Sequence, residues 1–223
     1  MATRQGLLDL FSGAIKNYST SIYDPNLVAN WMDEGQIDIV LRTQCLTDTK
    51  SILTVASTRE YALGTDVMKV LALTLDGKEV QPSSQEQMAY YASYPAETAN
   101  GTPTHYYIKM ATNPLIGFTP IPDTSGQVIS LHYLRRPASL MVTANNPEIP
   151  EQYQRLIVKF AMYNVLIKDV KKDTLALWKE EYEKGVERMA EAMRNFDKKA
   201  SKSMKFYGTE HKAKSMQLMT RSR

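Results

Sequence analysis

Pro147-Glu148-Ile149-Pro150-Glu151 leads into Tyr153, Leu156, Ile157, Phe160, Ala161, Asn164 and Ile167. Apolar residues three and four apart fall on one face of a helix, and proline at a helix start gives up no hydrogen bond, so this stretch predicts a helix with one buried stripe. The pattern breaks at Lys168 to Lys172. Asp173 is then placed to cap a second helix whose stripe is Leu175, Trp178, Tyr182, Val186, Met189 and Met193, with Glu180 and Lys184 in the favourable i, i+4 order. Two long helices with a short connection predict an αα-hairpin over 149–195, with Trp178 buried in mid-stripe.

At the other end of the chain, Leu7, Leu8, Leu10, Phe11, Ala14 and Ile15 give a short helix with one apolar stripe. After Asn17 to Tyr23, Asp24-Pro25 is a helix start, because aspartate caps the free N–H groups and proline is preset for the first turn. Leu27, Val28, Trp31, Met32, Gly35 and Ile39 continue the stripe to about residue 43, and Asp33, Glu34, Asp38 and Arg42 supply a polar face. Between the helical ends the residues become β-rich. Ile52 to Val55, Val67 to Leu75, Tyr106 to Met110, Leu115 to Phe118 and Val128 to Leu134 read as strands. Asp76-Gly77 is a hairpin turn, Ser84 to about Tyr91 a short helix, and Asn100-Gly101-Thr102-Pro103 a turn.

The fold class is therefore α+β: a helical bundle built from the N- and C-terminal helices, a central β-rich insertion, and an extended basic C-terminal arm. The expected division is 1–48 for the first helices, 49–148 for the insertion, 149–195 for the αα-hairpin and 196–223 for the arm. No internal repeat stands out.

Composition narrows the function classes. The 223 residues carry a formal net charge of +3, 43% hydrophobic residues and one cysteine. Cys45 alone forms no internal disulfide, so the chain reads as a product of a reducing compartment with a buried thiol. No apolar run approaches the roughly 20 residues of a membrane span, and the first ten residues lack the order of a signal peptide. Enzymatic signatures are absent too. His105, His132 and His211 lie far apart without metal-ligand spacing, and no phosphate-loop, dinucleotide or nucleophile-elbow string occurs. His105 and His132 read as strand residues, and Asp33-Glu34 and Glu180-Glu181 as solvated helix faces rather than paired catalytic acids. The reading is no enzyme, no metal and no cofactor.

Tyr90, Tyr91, Tyr94, Tyr106, Tyr107 and Tyr133 gather in the sheet region, where tyrosine suits an interface but also ordinary cross-strand packing. The last thirty residues, Arg194 to Arg223, hold nine Lys or Arg and two acids, against 18 bases and 22 acids in the rest. In this arm Lys198, Lys199, Lys202, Lys205, Lys212 and Lys214 are interleaved with Phe206, Tyr207, Met216, Leu218 and Met219. A purely electrostatic tail needs no such anchors, which points to a segment that orders on a partner protein. Nucleic acid is the rival partner, since counterion release rewards any basic cluster.

Three segments carry a family resemblance. Leu27-Val-Ala-Asn-Trp-Met-Asp-Glu-Gly-Gln-Ile-Asp-Ile-Val, Glu60-Tyr-Ala-Leu-Gly-Thr-Asp-Val-Met-Lys-Val with Leu75-Asp-Gly-Lys, and Leu131-His-Tyr-Leu-Arg-Arg-Pro with Ile149-Pro-Glu-Gln-Tyr-Gln-Arg-Leu-Ile resemble those of tailed-phage head-to-tail adaptor proteins. The likeness runs over about 25–195. It implies a structural virion protein, made in the host cytoplasm and placed in the neck between capsid and tail. It implies a ring of twelve copies on the portal protein, contact with tail or neck proteins, and a lumen through which double-stranded DNA passes without sequence specificity. Where the family often has Leu-Pro-x-Asp, this chain has Leu63-Gly64-Thr65-Asp66, and the arm matches no family pattern. Two other expectations stand beside the adaptor: a nucleic-acid-binding assembly factor acting through the arm, and a neck gatekeeper or stopper.

Overall fold

Thr3 and Asp24 each open a helix by accepting a backbone N–H, from Gly6 and Asn26 respectively. In the computed structural model, which describes residues 3–15, 23–84, 100–109, 113–169 and 176–196, these caps start α1 (Arg4–Ala14) and α2 (Pro25–Thr43). Gln44 ends α2 in the left-handed conformation and returns its N–H to Val40. Pro150 leads into a single 3-10 turn, Glu151–Tyr153, before α3 (Arg155–Asp169), and a fourth helix, α4, runs over 176–196. The predicted cap Asp173, Leu175, the break at 168–172 and the helix after Ser84 all involve positions outside the described residues, as does the side chain of Ile167.

The four helices share one core. Leu7, Phe11, Val28, Met32, Ile39, Ile157, Ala161, Val186 and Met189 are all buried in it. Contacts between α3 and α4 run in opposite directions along the chain, Leu156 against Gly185, Phe160 against Tyr182 and Lys179 over the Tyr163 ring, so the two helices are antiparallel. Two expectations shift here. Trp178, like Phe160, is half-buried against the core, and the enclosed aromatic of the α4 stripe is Tyr182, edge to face with Phe160 at 5.4 Å. Leu10 is 46% exposed because the core side of α1 is filled by Leu7 and Phe11.

Among the described residues there are also ten strands: β1 (Thr47–Leu53), β2 (Glu60–Ala62), β3 (Val67–Leu75), β4 (Lys78–Glu79), β5 (Gln81–Pro82), β6 (Asn100–Gly101), β7 (His105–Lys109), β8 (Leu115–Thr119), β9 (Ile121–Pro122) and β10 (Val128–Arg135). They make two four-stranded sheets, ordered β1-β10-β3-β4 and β2-β8-β7-β5, and a small pair β6-β9. Ile129, Leu131 and Tyr133 of β10 meet Ile116 and Phe118 of β8 and Tyr106 of β7 in a second core. The pleat turns the next residue, Leu134, to the opposite face, where it is buried among the helices. One strand thus serves both cores.

Asp76-Gly77 makes the expected hairpin turn, with φ of 47° and 79°, between β3 and β4. Asn100-Gly101 is not the expected turn; it pairs in parallel with Ile121-Pro122 as β6, a non-local pairing that overrides local turn preference. The strand predicted at 52–55 begins earlier, at Thr47, because Thr47 to Leu53 find partners along the whole of β10. At Leu63-Gly64-Thr65-Asp66, Gly64 has φ of 95°, which proline's ring forbids, so this turn departs from the Leu-Pro-x-Asp pattern in its backbone. It brings Asp66 to accept the Tyr133 hydroxyl at 2.8 Å.

The loop after β10 is fixed to the helices by side chains. Gln36, fully buried on α2, donates to Ala138 O at 3.0 Å and accepts from Glu148 N at 3.1 Å. Asp33, one turn earlier, accepts from Leu140 N and the Ser139 hydroxyl, and Arg4 of α1 donates to Leu140 O at 2.7 Å. Asp33 is therefore a strut and not part of a solvated face. Arg135 holds Glu148 with two hydrogen bonds of 3.0 Å, and Glu148 also accepts from Ala138 N. Burial works to raise the Glu148 pKa, but Arg135 and the Ala138 amide outweigh it and hold the carboxyl below its ordinary value.

Two outcomes follow from this packing. A Cβ on Gly35 would lie 2.9 Å from three side-chain atoms of Phe160, where α2 crosses α3. Alanine in a helix gains about 1 kcal/mol over glycine, but overpacking costs about 1 to 3 kcal/mol. Gly35→Ala is therefore expected to cost up to about 2 kcal/mol net, read as a lowered urea midpoint; a raised midpoint would contradict the crossing. For Glu148, a depressed native pKa means a contribution complete above the ordinary value of 4.5 and lost as pH falls through the lower native value. The stability advantage of the wild type over Glu148→Gln should shrink between about pH 6 and about pH 3. An advantage independent of pH in denaturant titrations would rule out the ion pair as its source.

Candidate partner-binding surfaces

The arm residues singled out by sequence, Lys198, Lys199, Lys202, Lys205, Phe206, Tyr207, Lys212, Lys214, Met216, Leu218 and Met219, lie outside the described residues, as do Tyr90, Tyr91, Tyr94 and His211. The last turn of α4 presents Phe196 at 74% exposure. Beside it Arg42, Gln44, Cys45, Leu71, Met193 and Arg194 line a cleft of about 660 Å³ at the junction of helices and sheet. Cys45 is half-buried rather than buried as expected, and burial pushes its thiol above its ordinary pKa, which disfavours the thiolate.

The outward face of the first sheet is low in charge over three cross-strand rows, Leu53 with Val128, Ser51 with Ser130 and Thr74, and Thr49 with His132 and Ala72, the middle row ending on the exposed Glu79 of β4. Leu53 is 61% exposed and Val55 54%. The sheet also ends on an open strand. Arg135 N–H donating to Leu46 O and Thr54 N–H to Gln127 O bracket the β1–β10 ladder, so by antiparallel alternation Thr47, Thr49, Ser51 and Leu53 turn their main-chain groups away from it. The Asp48 carboxylate takes the Thr49 N–H at 2.7 Å, blunting the edge at one point, while Lys50 reaches inward to Leu63 O. His132 and His105 each sit on a strand with a ring nitrogen against a threonine hydroxyl, Thr49 and Thr104 respectively. Among the described residues no group of three or more His, Cys, Asp or Glu side chains converges to hold a metal ion, and no helix is long and apolar enough to cross a membrane.

The tyrosines divide by environment. Tyr61, Tyr106 and Tyr133 are buried in the sheet core. Burial and Glu60 push Tyr107 up to about 12, and burial and Asp66 do the same for Tyr133, so both hydroxyls act as fixed donors. On the helices Tyr182 donates to Asp38 of α2 at 2.5 Å, and burial followed by that carboxylate drives its pKa upward. Arg42 lies over the Tyr182 ring and donates to Glu183, which ties α2 to α4. Lys159 reaches Glu181 at 2.8 Å and ties α3 to α4.

Sequence reasoning missed Gln36, Gln154 and the Arg135–Glu148 pair. Gln36 stands among apolar stripe residues of α2, where a single amide looks like a tolerated surface residue; the signal available was its position beside Gly35 inside the buried arc. Gln154 is buried and donates to Pro147 O and Ile149 O, holding the turn that starts α3.

The chain is matched by the family model described as SU10 adaptor protein over residues 6–203. No curated protein matches it. The match takes in α1 as well as the 25–195 covered by the resemblance read from sequence, and so spans both cores and the helices that flank the sheets. The chain belongs to the SU10 adaptor protein family, a family of phage head-to-tail adaptors.

Proposed function

We propose that this chain is a neck subunit of the virion that assembles as a ring of twelve copies on the portal protein, extends the DNA channel and offers the platform to which tail or neck proteins attach. The observation that carries the reading is the adaptor-family match across residues 6–203. In this account residues 1–48 and 149–195 form the bundle that makes the ring wall, 49–148 the β-rich insertion, and 196–223 an arm that leaves its own subunit. The cross-tied helices suit a wall, because Arg42–Glu183 and Lys159–Glu181 join α4 to both neighbours. The sheet face, whose one acid is Glu79, and the open β1 edge suit contact with protein rather than with phosphate. Catalysis has no part in the role.

The arm reads as the portal-seeking element. Extended, residues 198–223 reach on the order of 90 Å. Phe206, Tyr207, Met216, Leu218 and Met219 can fill apolar pockets while Lys198, Lys199, Lys202, Lys205, Lys212 and Lys214 meet acidic rims.

Pull-down on portal rings purified from the same virion tests this. Replacing Phe206 and Tyr207 with alanine is expected to weaken capture at least as much as replacing Lys202 and Lys205, and removing 198–223 to abolish it while the far-ultraviolet circular dichroism of the folded part persists. If the lysine changes alone abolish capture and duplex DNA competes at physiological salt, the arm is a nucleic-acid tether instead.

A further inference from the structure

Strand β1 closes one side of the first sheet, and among the described residues no strand pairs with its free edge. Thr47, Thr49, Ser51 and Leu53, whose main-chain groups point away from β10, are all exposed. The strand has no proline and no register shift, so little besides the Asp48 carboxylate on Thr49 N–H keeps another strand off it. The described part of α4 ends beside this edge. Phe196 lines the same cleft of about 660 Å³ as Thr47, the first residue of β1, and residues 197–223 follow it. Four residues, 197–200, extend to about 13 Å. Next come Ser201-Lys202-Ser203-Met204-Lys205-Phe206-Tyr207, as many residues as β1 has, with Gly208 after them. In an extended segment Lys202, Met204 and Phe206 share one face and Ser203, Lys205 and Tyr207 the other.

We propose that in the subunit off the portal residues 201–207 of this same chain add to the free edge of β1 as a fifth, parallel strand of the first sheet. Direction follows from the starting point, since a chain arriving at Thr47 covers the edge by running toward Leu53; the fold already holds two short parallel pairs, β5 with β7 and β6 with β9. Charge and burial choose the register. With residue 202 beside 48, Lys202 meets Asp48, which is 53% exposed and 3.9 Å from Arg135, and Phe206 lies beside Ile52, which packs on the sheet core. Lys205 and Tyr207 then stay on the exposed face with Ser51 and Leu53. Main-chain bonds to an open edge supply the affinity, as in strand addition by extended peptides. A tether of four residues gives an effective concentration on the order of millimolar, which favours the chain's own edge over that of a second copy. The inference rests on the reading of the arm as a protein-seeking segment and adds its resting place, so that β1 and the portal compete for Phe206 and Tyr207.

Hydrogen exchange of the full chain, read residue by residue by nuclear magnetic resonance, tests it. The amides of Thr47, Ser51 and Leu53 should exchange at least about tenfold more slowly in the wild type than in Met204→Pro, which keeps every charge but removes the N–H directed at Thr49 O and bars the strand. A second measurement fixes the occupant. In a Cys45→Ser background, Ser51→Cys with Lys205→Cys should close a disulfide within one chain, faster than Ser51→Cys with Lys214→Cys, because the register sets residues 51 and 205 side by side. Fast exchange at all three amides in the wild type, protection that survives Met204→Pro, or disulfides that join two chains instead of closing within one would each overturn the proposal. Both measurements use the subunit alone, so their failure leaves portal capture by the arm untouched, and failed capture leaves them untouched.

Discussion

A fully buried amide on α2 is the constraint on which the arrangement of the rest depends. Gln36 is fully buried and saturates one carbonyl and one N–H of the segment between β10 and α3, groups that would be costly to leave unpaired. With Asp33 and Arg4 it fixes residues 138–140 against α1 and α2, while Arg135 and Glu148 close the same segment on itself. That segment is where the sheet hands the chain back to the helices. Part of its polar groups is satisfied by side chains of α1 and α2, so these hydrogen bonds help to set the two cores against each other. Leu134 adds an apolar link, since it leaves the sheet that holds Tyr133 and enters the helical core.

The helices were legible because their stripes are local. Val28, Trp31, Met32 and Ile39 recur at helical spacing and are buried as that spacing requires, and Asp24-Pro25 marks the first turn within one residue. The same logic could not rank Trp178 below Tyr182: both lie on the α4 stripe, and only the position of α2, with Asp38 and Arg42 against the Tyr182 ring and hydroxyl, decides which is enclosed. In the sheets, β3 and β10 were readable from β-branched and alternating residues. β2, β5, β6 and β9 were not, being two or three residues long and defined by partners far away in sequence, as Asn100-Gly101 is by Ile121-Pro122. Asp33 was misassigned for the same reason, because its partners Ser139 and Leu140 are more than one hundred residues away. The candidate arm was legible only as composition, which names anchors and charges but no receiving surface.

For a structural subunit the distribution of these features is informative. Tight ties, among them the Phe160 ring against Gly35 and Leu156 against Gly185, lie between helices inside one chain, whereas free charges and open main-chain groups lie on flanks and edges. A subunit that is rigid within and unsatisfied at its borders is suited to repetition.

The most direct measurement of the central claim is the position and copy number of this chain in the virion. Electron cryomicroscopy of the neck without imposed symmetry should place the two-core fold between portal and tail as a closed ring of twelve copies with adjacent copies in contact. Density for this fold outside the neck, or in the neck as isolated copies or a ring in which adjacent chains make no contact, would contradict the account.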